Sequence, residues 1–328
     1  MVTIKMIAKQ CGYSAATVSK ALNGAPDINP ETASRIRQVA REMGYVPNSS
    51  ARMLKTTRSY SFGVLIEDAA NAGLTHEFFS HILQSFKHRA EELGYDISFV
   101  SNRLGGQYIR YTEHALYRHY DGIVVASVDY ANPEVKALAS VGIPMVTIDY
   151  TYPPCGSVSS DNAQGMRDLV EYVFRKGHRR IAIITGPKSV YSAKERLMGY
   201  LRALSDFGIF YDDNLVINGQ MDFFTGYLAC GSLLNQPDPP TAIVAANYDI
   251  TIGLVTAARE RGLDIPEDVD VFGFDCVEIC SMLQPPLPVV HQPEERIGQI
   301  AAEYLVDRLN GYAGEPRQVV LKCSIEPE

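Results

Sequence analysis

The sequence predicts an all-α helix-turn-helix headpiece followed by an α/β core of two doubly wound parallel-sheet lobes, and three observations carry that prediction. Residues Ile4 to Asn23 read I-K-M-I-A-K-Q-C-G-Y-S-A-A-T-V-S-K-A-L-N, where Ala8, Gly12 and Val18 have helix-turn-helix spacing. Residues 1–60 hold nine Lys/Arg against three Asp/Glu, a charge of +6, whereas the rest of the 328-residue chain carries −14. A basic head on an acidic body suits a nucleic-acid-binding domain joined to a different kind of domain. From Phe62 onward, short apolar runs alternate with amphipathic helices, the pattern of parallel sheets covered on both faces. The length leaves room for two or three domains with proper cores.

In the headpiece, Thr3 caps a first helix running to about Cys11. The small Ala8 allows close helix approach, and Gly12 can take the positive φ of a tight turn. Ser14 is a good N-cap for the second helix, which presents Ala15, Ala16 and Thr17 at an N-terminal end suited to a DNA groove or a phosphate. Asn29-Pro30-Glu31 is a strong start signal for a third helix, with Ile36, Val39, Ala40 and Met43 at helical spacing and Gly44 as the stop. Beyond it, Asn48 can cap a short helix to about Thr56, too short to persist in water without a partner.

In the core, strand-like runs at Phe62–Ile66, Ile97–Val100, Gly122–Ala126 and Pro144–Ile148 accompany an amphipathic helix at Phe78–Leu93. A second set follows at Ile181–Ile184, Ala242–Ala245 and Val269–Phe272, with helices near 163–176, 193–206, 223–235 and 249–261. In doubly wound lobes, ligands bind at the carboxyl ends of the strands, so a cleft between the lobes is the expected small-molecule site. The six cysteines (11, 155, 230, 276, 280, 323) form no CxxC pair and have no His ligand spacing, so no metal site is expected and all six are read as reduced thiols. With no signal-peptide h-region and no run near 18 apolar residues, a cytoplasmic protein without membrane contact is expected.

Motifs along the whole chain resemble the LacI/GalR family of bacterial transcription regulators. After the headpiece come G-Y-V-P-N (44–48) and A-R-M-L (51–54), then D-G-I-V-V (121–125), G-I-P-M-V-T-I-D (142–149) and S-D-N-A-Q-G (160–165). G-H-R-R-I-A-I-I (177–184), R-L-M-G-Y (196–200), G-L-D-I-P-E-D-V (262–269), G-F-D (273–275) and H-Q-P (291–293) follow in family order. The resemblance implies a periplasmic-binding-protein-like core and a homodimer, sometimes a tetramer, that binds a near-palindromic double-stranded operator under the control of a small-molecule effector. It divides the chain into a headpiece (1–47), a hinge helix and linker (48–60) and a two-lobed effector-binding and dimerisation domain (61–328). The chain should cross between lobes near 158–162, 289–293 and 319–323, giving a first lobe of about 61–160 with 292–321 and a second of about 161–291 with 322–328.

By the same resemblance, Ala15, Ala16 and Lys20 are the base-reading residues. Lys20 can donate to guanine O6/N7 or contact a phosphate, while two alanines offer only methyl contact, so the code should be loose there. Thr3, Ser14, Thr17 and Ser19 are expected on phosphates, and Asn23 on the same DNA face. Asn48 would cap the hinge helix, Ala51 would let paired hinges meet closely, and Leu54 would wedge into a minor-groove step.

Arg196 and Asp275 match the family's effector-holding guanidinium and carboxylate, a pair suited to a ligand with several hydroxyls or ring nitrogens. Asp161 and Asn247 fall at predicted strand ends, Asn247 either touching ligand or capping the next helix. Met221 stands where sugar- and purine-binding members often carry an aromatic ring, so stacking there would need Phe223 or Phe224 to substitute. Phe78 or Phe79, after the Asp68 loop, either covers a ligand or packs in the core. His178 in G-H-R-R is expected to cap a helix end or to join the lobes. A sugar or sugar derivative is the expected effector, with no cofactor. No HExxH, Walker, GxGxxG or nucleophile-elbow motif is present, which argues against an enzyme. The alternative is a cytoplasmic solute-binding sensor using the same two-lobe fold without operator specificity, which residues 1–56 disfavour.

Overall fold

The computed structural model describes residues 2–46, 58–67, 73–275, 277–312 and 314–326. Asn48, Ala51 and Leu54 of the expected hinge, and Asp68, lie outside the described residues. The chain forms two compact units, residues 1–59 and 60–328.

The first unit contains helices α1 (Ile4–Cys11), α2 (Ala15–Leu22) and α3 (Pro30–Glu42). Each begins at a side-chain cap: Thr3 accepts from the Met6 N–H, Ser14 from Thr17 and Asn29 from Glu31. Gly12, at φ 73°, donates to the Ala8 carbonyl and turns the chain between α1 and α2. Ile7, Ala8, Val18, Ala21, Ile36 and Ala40 make the small core where the three helices meet. Ile36 is fully buried, and burying such a side chain contributes about 2 kcal/mol.

The second unit opens with β1 (Ser61–Ile66), α4 (Glu77–Glu92), β2 (Asp96–Phe99), the two-residue strands β3 (Arg103–Leu104) and β4 (Gln107–Tyr108), and α5 (Tyr111–Arg118). Then come β5 (Gly122–Ser127), α6 (Pro133–Ala139), β6 (Met145–Ile148) and β7 (Gly156–Ser160). The second lobe continues with α7 (Asn162–Arg175), β8 (Ile181–Thr185), α8 (Tyr191–Asp206), β9 (Val216–Asn218) and α9 (Phe223–Leu234). It is completed by β10 (Ala242–Ala245), α10 (Tyr248–Glu260), β11 (Asp270–Phe274), α11 (Val277–Met282) and β12 (Val289–His291). The chain then returns to the first lobe with α12 (Glu294–Leu309) and β13 (Gln318–Leu321), and ends in the second with β14 (Ser324–Glu326).

The first sheet has the order β13-β7-β6-β5-β1-β2, every pair parallel. The second has the order β14-β12-β11-β10-β8-β9, parallel except where β14 runs antiparallel to β12. The chain therefore passes between sheets after Ser160, after His291 and between Leu321 and Ser324. Val/Ile/Leu-rich strands are buried on both faces, as helices on each side require. The glycine of R-L-M-G-Y has a packing reason: a Cβ on Gly199 would lie 2.1 Å from the Ala163 carbonyl oxygen, so α7 and α8 approach here only without a side chain.

Phe78 packs in the first-lobe core, 7% exposed, which is the packing alternative of the two expected for it. Two expectations are corrected. His178 joins neither lobe to the other: it bonds Thr241 (2.9 Å) and Asp270 (3.3 Å), tying strand starts together within the second lobe. Cys11, Cys155, Cys230 and Cys323 are free thiols, but Cys280 is in a disulfide.

Candidate functional site

At the carboxyl ends of the strands, one hydrogen-bonded chain runs from the first lobe through the second to a crossover. Asp149, just after β6, accepts from Asn162 Nδ2 at 2.9 Å. Asn162 Oδ1 accepts from Arg196 Nε at 2.8 Å. Arg196 Nη1 then donates to Asp275 Oδ2 at 3.0 Å and to the Ala246 carbonyl at 2.6 Å. Gln292 Nε2 closes the chain on Asp275 Oδ1. Arg196 is 2% exposed, with its guanidinium carbon 3.7 Å above the centre of the Phe274 ring.

Asp149 and Asp275 both sit in the left-handed region, at φ 53° and 72°, immediately beyond their strands. Non-glycine residues there are uncommon and collect at functional sites, Asp being among the tolerant types. Burial pushes the Asp149 carboxyl up to about 7, against the opposing pull of Arg196 and the Asn162 hydrogen bond. Burial likewise pushes Glu294, at the start of α12, up to about 7, and the nearby Asp275 charge adds to it. Two buried polar atoms beside this chain have no hydrogen-bond partner among the described residues: Gln292 Oε1 and Ser160 Oγ.

Tyrosines line the same region. Tyr130, after β5, stacks on Tyr150, after β6, with ring centres 3.9 Å apart and planes 12° from parallel. Tyr191, the first residue of α8, meets Tyr150 edge-on at 5.4 Å, so aromatic contact spans the two lobes. The Tyr130 hydroxyl is buried and also unpartnered among the described residues. A groove of about 380 Å³ between α7 and β14, lined by Gly165, Asp168, Tyr172 and Ile325, lies elsewhere and shares none of these residues.

In the headpiece, Ala15, Ala16 and Lys20 are exposed on α2. Lys20 is not free: its ammonium pairs with Asp27 in the turn before α3. The Ser14 and Thr17 hydroxyls bond each other at 2.9 Å, Thr3 caps α1, and Asn23 Nδ2 donates to the Ser19 carbonyl at 2.6 Å.

Comparison with known proteins identifies the chain. The family profile described as bacterial regulatory proteins, lacI family, matches residues 3–48, and a periplasmic-binding-protein-like domain matches residues 170–327. The HTH-type transcriptional regulator CelR of Thermobifida fusca is 31% identical over 98% of this chain and 96% of its own length. The chain belongs to the LacI family. A probable HTH-type transcriptional repressor of Bacillus subtilis, ExuR, is 32% identical over 94% of this chain and 92% of its own. Among solved structures, a CelR–cellobiose complex covers 99% of this chain and 98% of its own at 29% identity and a TM-score of 0.73. The Lac repressor dimer bound to operator and an anti-inducer covers 99% and 97% at 27% identity with a TM-score of 0.82. Like these relatives, the protein is a helix-turn-helix transcriptional regulator whose DNA binding is controlled by an effector.

Within that LacI-family frame, Arg196 and Asp275 stand together as the sequence suggested. Asp161 caps α7 by accepting from Gln164 N–H at 3.0 Å. Asn247 caps α10, accepting from Ile250 at 3.0 Å while donating to the Met221 carbonyl at 3.1 Å, so both ends of its amide are engaged. Met221 lies half-buried over Gly186, where an added Cβ would meet its sulfur at 2.4 Å. Sequence reasoning missed Asp149, Asn162, Gln292 and the tyrosines. Asp149 had a readable signal: T-I-D and G-F-D both end an apolar strand in Asp.

Proposed function

We propose that this regulator is a repressor whose effector is a sugar or sugar derivative held between the lobes, with Arg196 and Asp275 as the central ligand-holding pair. It acts in the cytoplasm as a homodimer on a near-palindromic operator and catalyses no reaction. The observation that carries the reading is the continuous chain Asp149–Asn162–Arg196–Asp275–Gln292, which links the first lobe, the second lobe and a crossover. A ligand bonded to that chain contacts both lobes at once, so its binding free energy differs between lobe arrangements, which effector control requires. The relatives crystallised with cellobiose and with anti-inducer support the same site class. No helix among the described residues is long and apolar enough to cross a membrane.

In this reading Lys20 supplies the main major-groove contact and Leu54 a minor-groove wedge. The test is fluorescence anisotropy with duplexes selected from genomic fragments, against random DNA at physiological salt. A specific complex should exceed random binding by about a thousandfold or more. Leu54→Ala should weaken operator binding severely and leave sugar binding unchanged, whereas Arg196→Ala should abolish the sugar response. Equal affinity for all DNA defeats the proposal.

A further inference from the structure

The charges and lone pairs around Arg196 narrow the effector beyond a sugar in general. We infer that the effector is an uncharged polyhydroxylated sugar, with phosphorylated and carboxylated sugars excluded by this chain's own residues. The inference rests on the reading that the cleft around Arg196 is the effector site.

The fixed positive charge at the centre is one guanidinium, and it is already shared. Three of its donor bonds go to Asn162, Ala246 and Asp275, which leaves the two N–H groups on Nη2. Around it stand Asp149, Asp161 and Asp275: the Asp275 charge opposes ionisation of Asp149, and all three oppose ionisation of the Cys323 thiol. Glu294 lies near Asp275 and Glu77, with His81 acting in the opposite sense. The charged groups around the guanidinium are thus mostly acidic.

The unpartnered atoms point the same way. Gln292 is fully buried, and its Oε1 can only accept. The Ser160 hydroxyl, 5% exposed, and the Tyr130 hydroxyl can each donate and accept. A ligand that satisfies this set must give protons to carboxylate and amide oxygens and accept from a guanidinium edge. Hydroxyl groups do both. A phosphate or carboxylate accepts only, and it would bring negative charge to carboxylates whose ionisation burial already opposes. The tyrosine rings supply what the absent aromatic at Met221 does not: Tyr150 and Tyr191, from opposite lobes, give apolar surface for the C–H face of a sugar ring, with hydroxyl groups at its edges.

The test uses the full chain and matched sugars: glucose and galactose, each with its 6-phosphate and uronate, plus cellobiose, lactose and maltose. Calorimetric titration should find at least one neutral sugar that binds, with its charged derivatives weaker by about tenfold or more. Asp149→Asn, which keeps the hydrogen bond and removes the charge, should narrow the gap between neutral sugar and sugar phosphate severalfold. Lys188 is an exposed cation on the loop before α8, and Lys188→Ala should leave binding unchanged. A charged derivative that binds as tightly as its neutral parent, an unchanged gap in Asp149→Asn, loss of binding in Lys188→Ala, or no binding by any neutral sugar overturns the inference. Operator release is measured in parallel: release by a sugar phosphate alone defeats this inference and keeps the regulator reading, while indifference between operator and random DNA defeats that reading itself.

Discussion

The two lobes share one strand order, yet they treat the same backbone position differently. Asp149 follows the third strand of the first sheet and Asp275 the third strand of the second, both in the left-handed region. Asp275 is held by a guanidinium and by Gln292. Asp149 is held by a neutral amide, Asn162, and sees Arg196 only at a distance. A compensated carboxylate is a fixed anchor. An uncompensated, half-buried one is poised to gain from a ligand hydroxyl or from a proton. The duplicated geometry therefore places two like groups across the cleft, and the second-lobe arginine makes them unlike.

The largest break in that asymmetry comes from Arg196→Ala. Removing the cation leaves the Asp275 side chain, 12% exposed, without its charge partner, and such truncations cost about 3–5 kcal/mol. Urea denaturation of the two proteins measures it. If Asp149→Ala costs as much as Asp275→Ala in the same assay, the two aspartates are equivalent and the contrast fails. A smaller effect is expected from Asn162→Ala. Asn162 is 2% exposed and bonds both Asp149 and Arg196, so its loss leaves a buried donor and a carboxylate short of partners, about 1–3 kcal/mol. Because it joins residues of different lobes, the variant should also unfold with a lower denaturant slope or in two steps. A single transition with the original slope would place the coupling between lobes elsewhere.

How much of this was legible depended on whether a signal was local. The β-branched runs of β1, β5, β8 and β10 declare themselves, because strands buried on both faces must be apolar throughout. Strand β7 does not: G-S-V-S-S is polar, yet all five residues are buried, and only pairing with β6 and β13 makes it a strand. The headpiece caps at Thr3, Ser14 and Asn29 were readable because a cap acts over three residues. Arg196 and Asp275 came from motif resemblance. Asn162 and Gln292 lay inside recognised motifs without an assigned role, because their bonding partners are 34 and 17 residues away. The tyrosine group draws on two loops and the start of α8, and nothing in local sequence brings Tyr130, Tyr150 and Tyr191 together. The Lys20–Asp27 pair was missed for a similar reason: it closes across the turn between two helices.

The smallest and most specific expectation concerns pH. Burial raises the Asp149 carboxyl from 3.8 to about 7, and Glu294 from 4.5 to about 7. In the unfolded chain these groups lose their protons near the ordinary values, while the folded chain keeps them until near neutrality. Between about pH 4 and pH 7 the folded state therefore binds more protons than the unfolded one, so stability falls as pH rises and levels off above neutrality. The ceiling is about 1.4 kcal/mol per group per pH unit, and the half-buried Asp149 should realise only about 1–2 kcal/mol in total. Asp149→Asn removes that share and keeps an acceptor for Asn162. It should melt close to the parent at pH 4.5 and a few degrees above it at pH 8. Asp275→Asn should do the opposite at pH 8, because there the lost charge was the partner of Arg196. Equal shifts for the two variants at pH 8 would mean that the arginine does not distinguish the lobes.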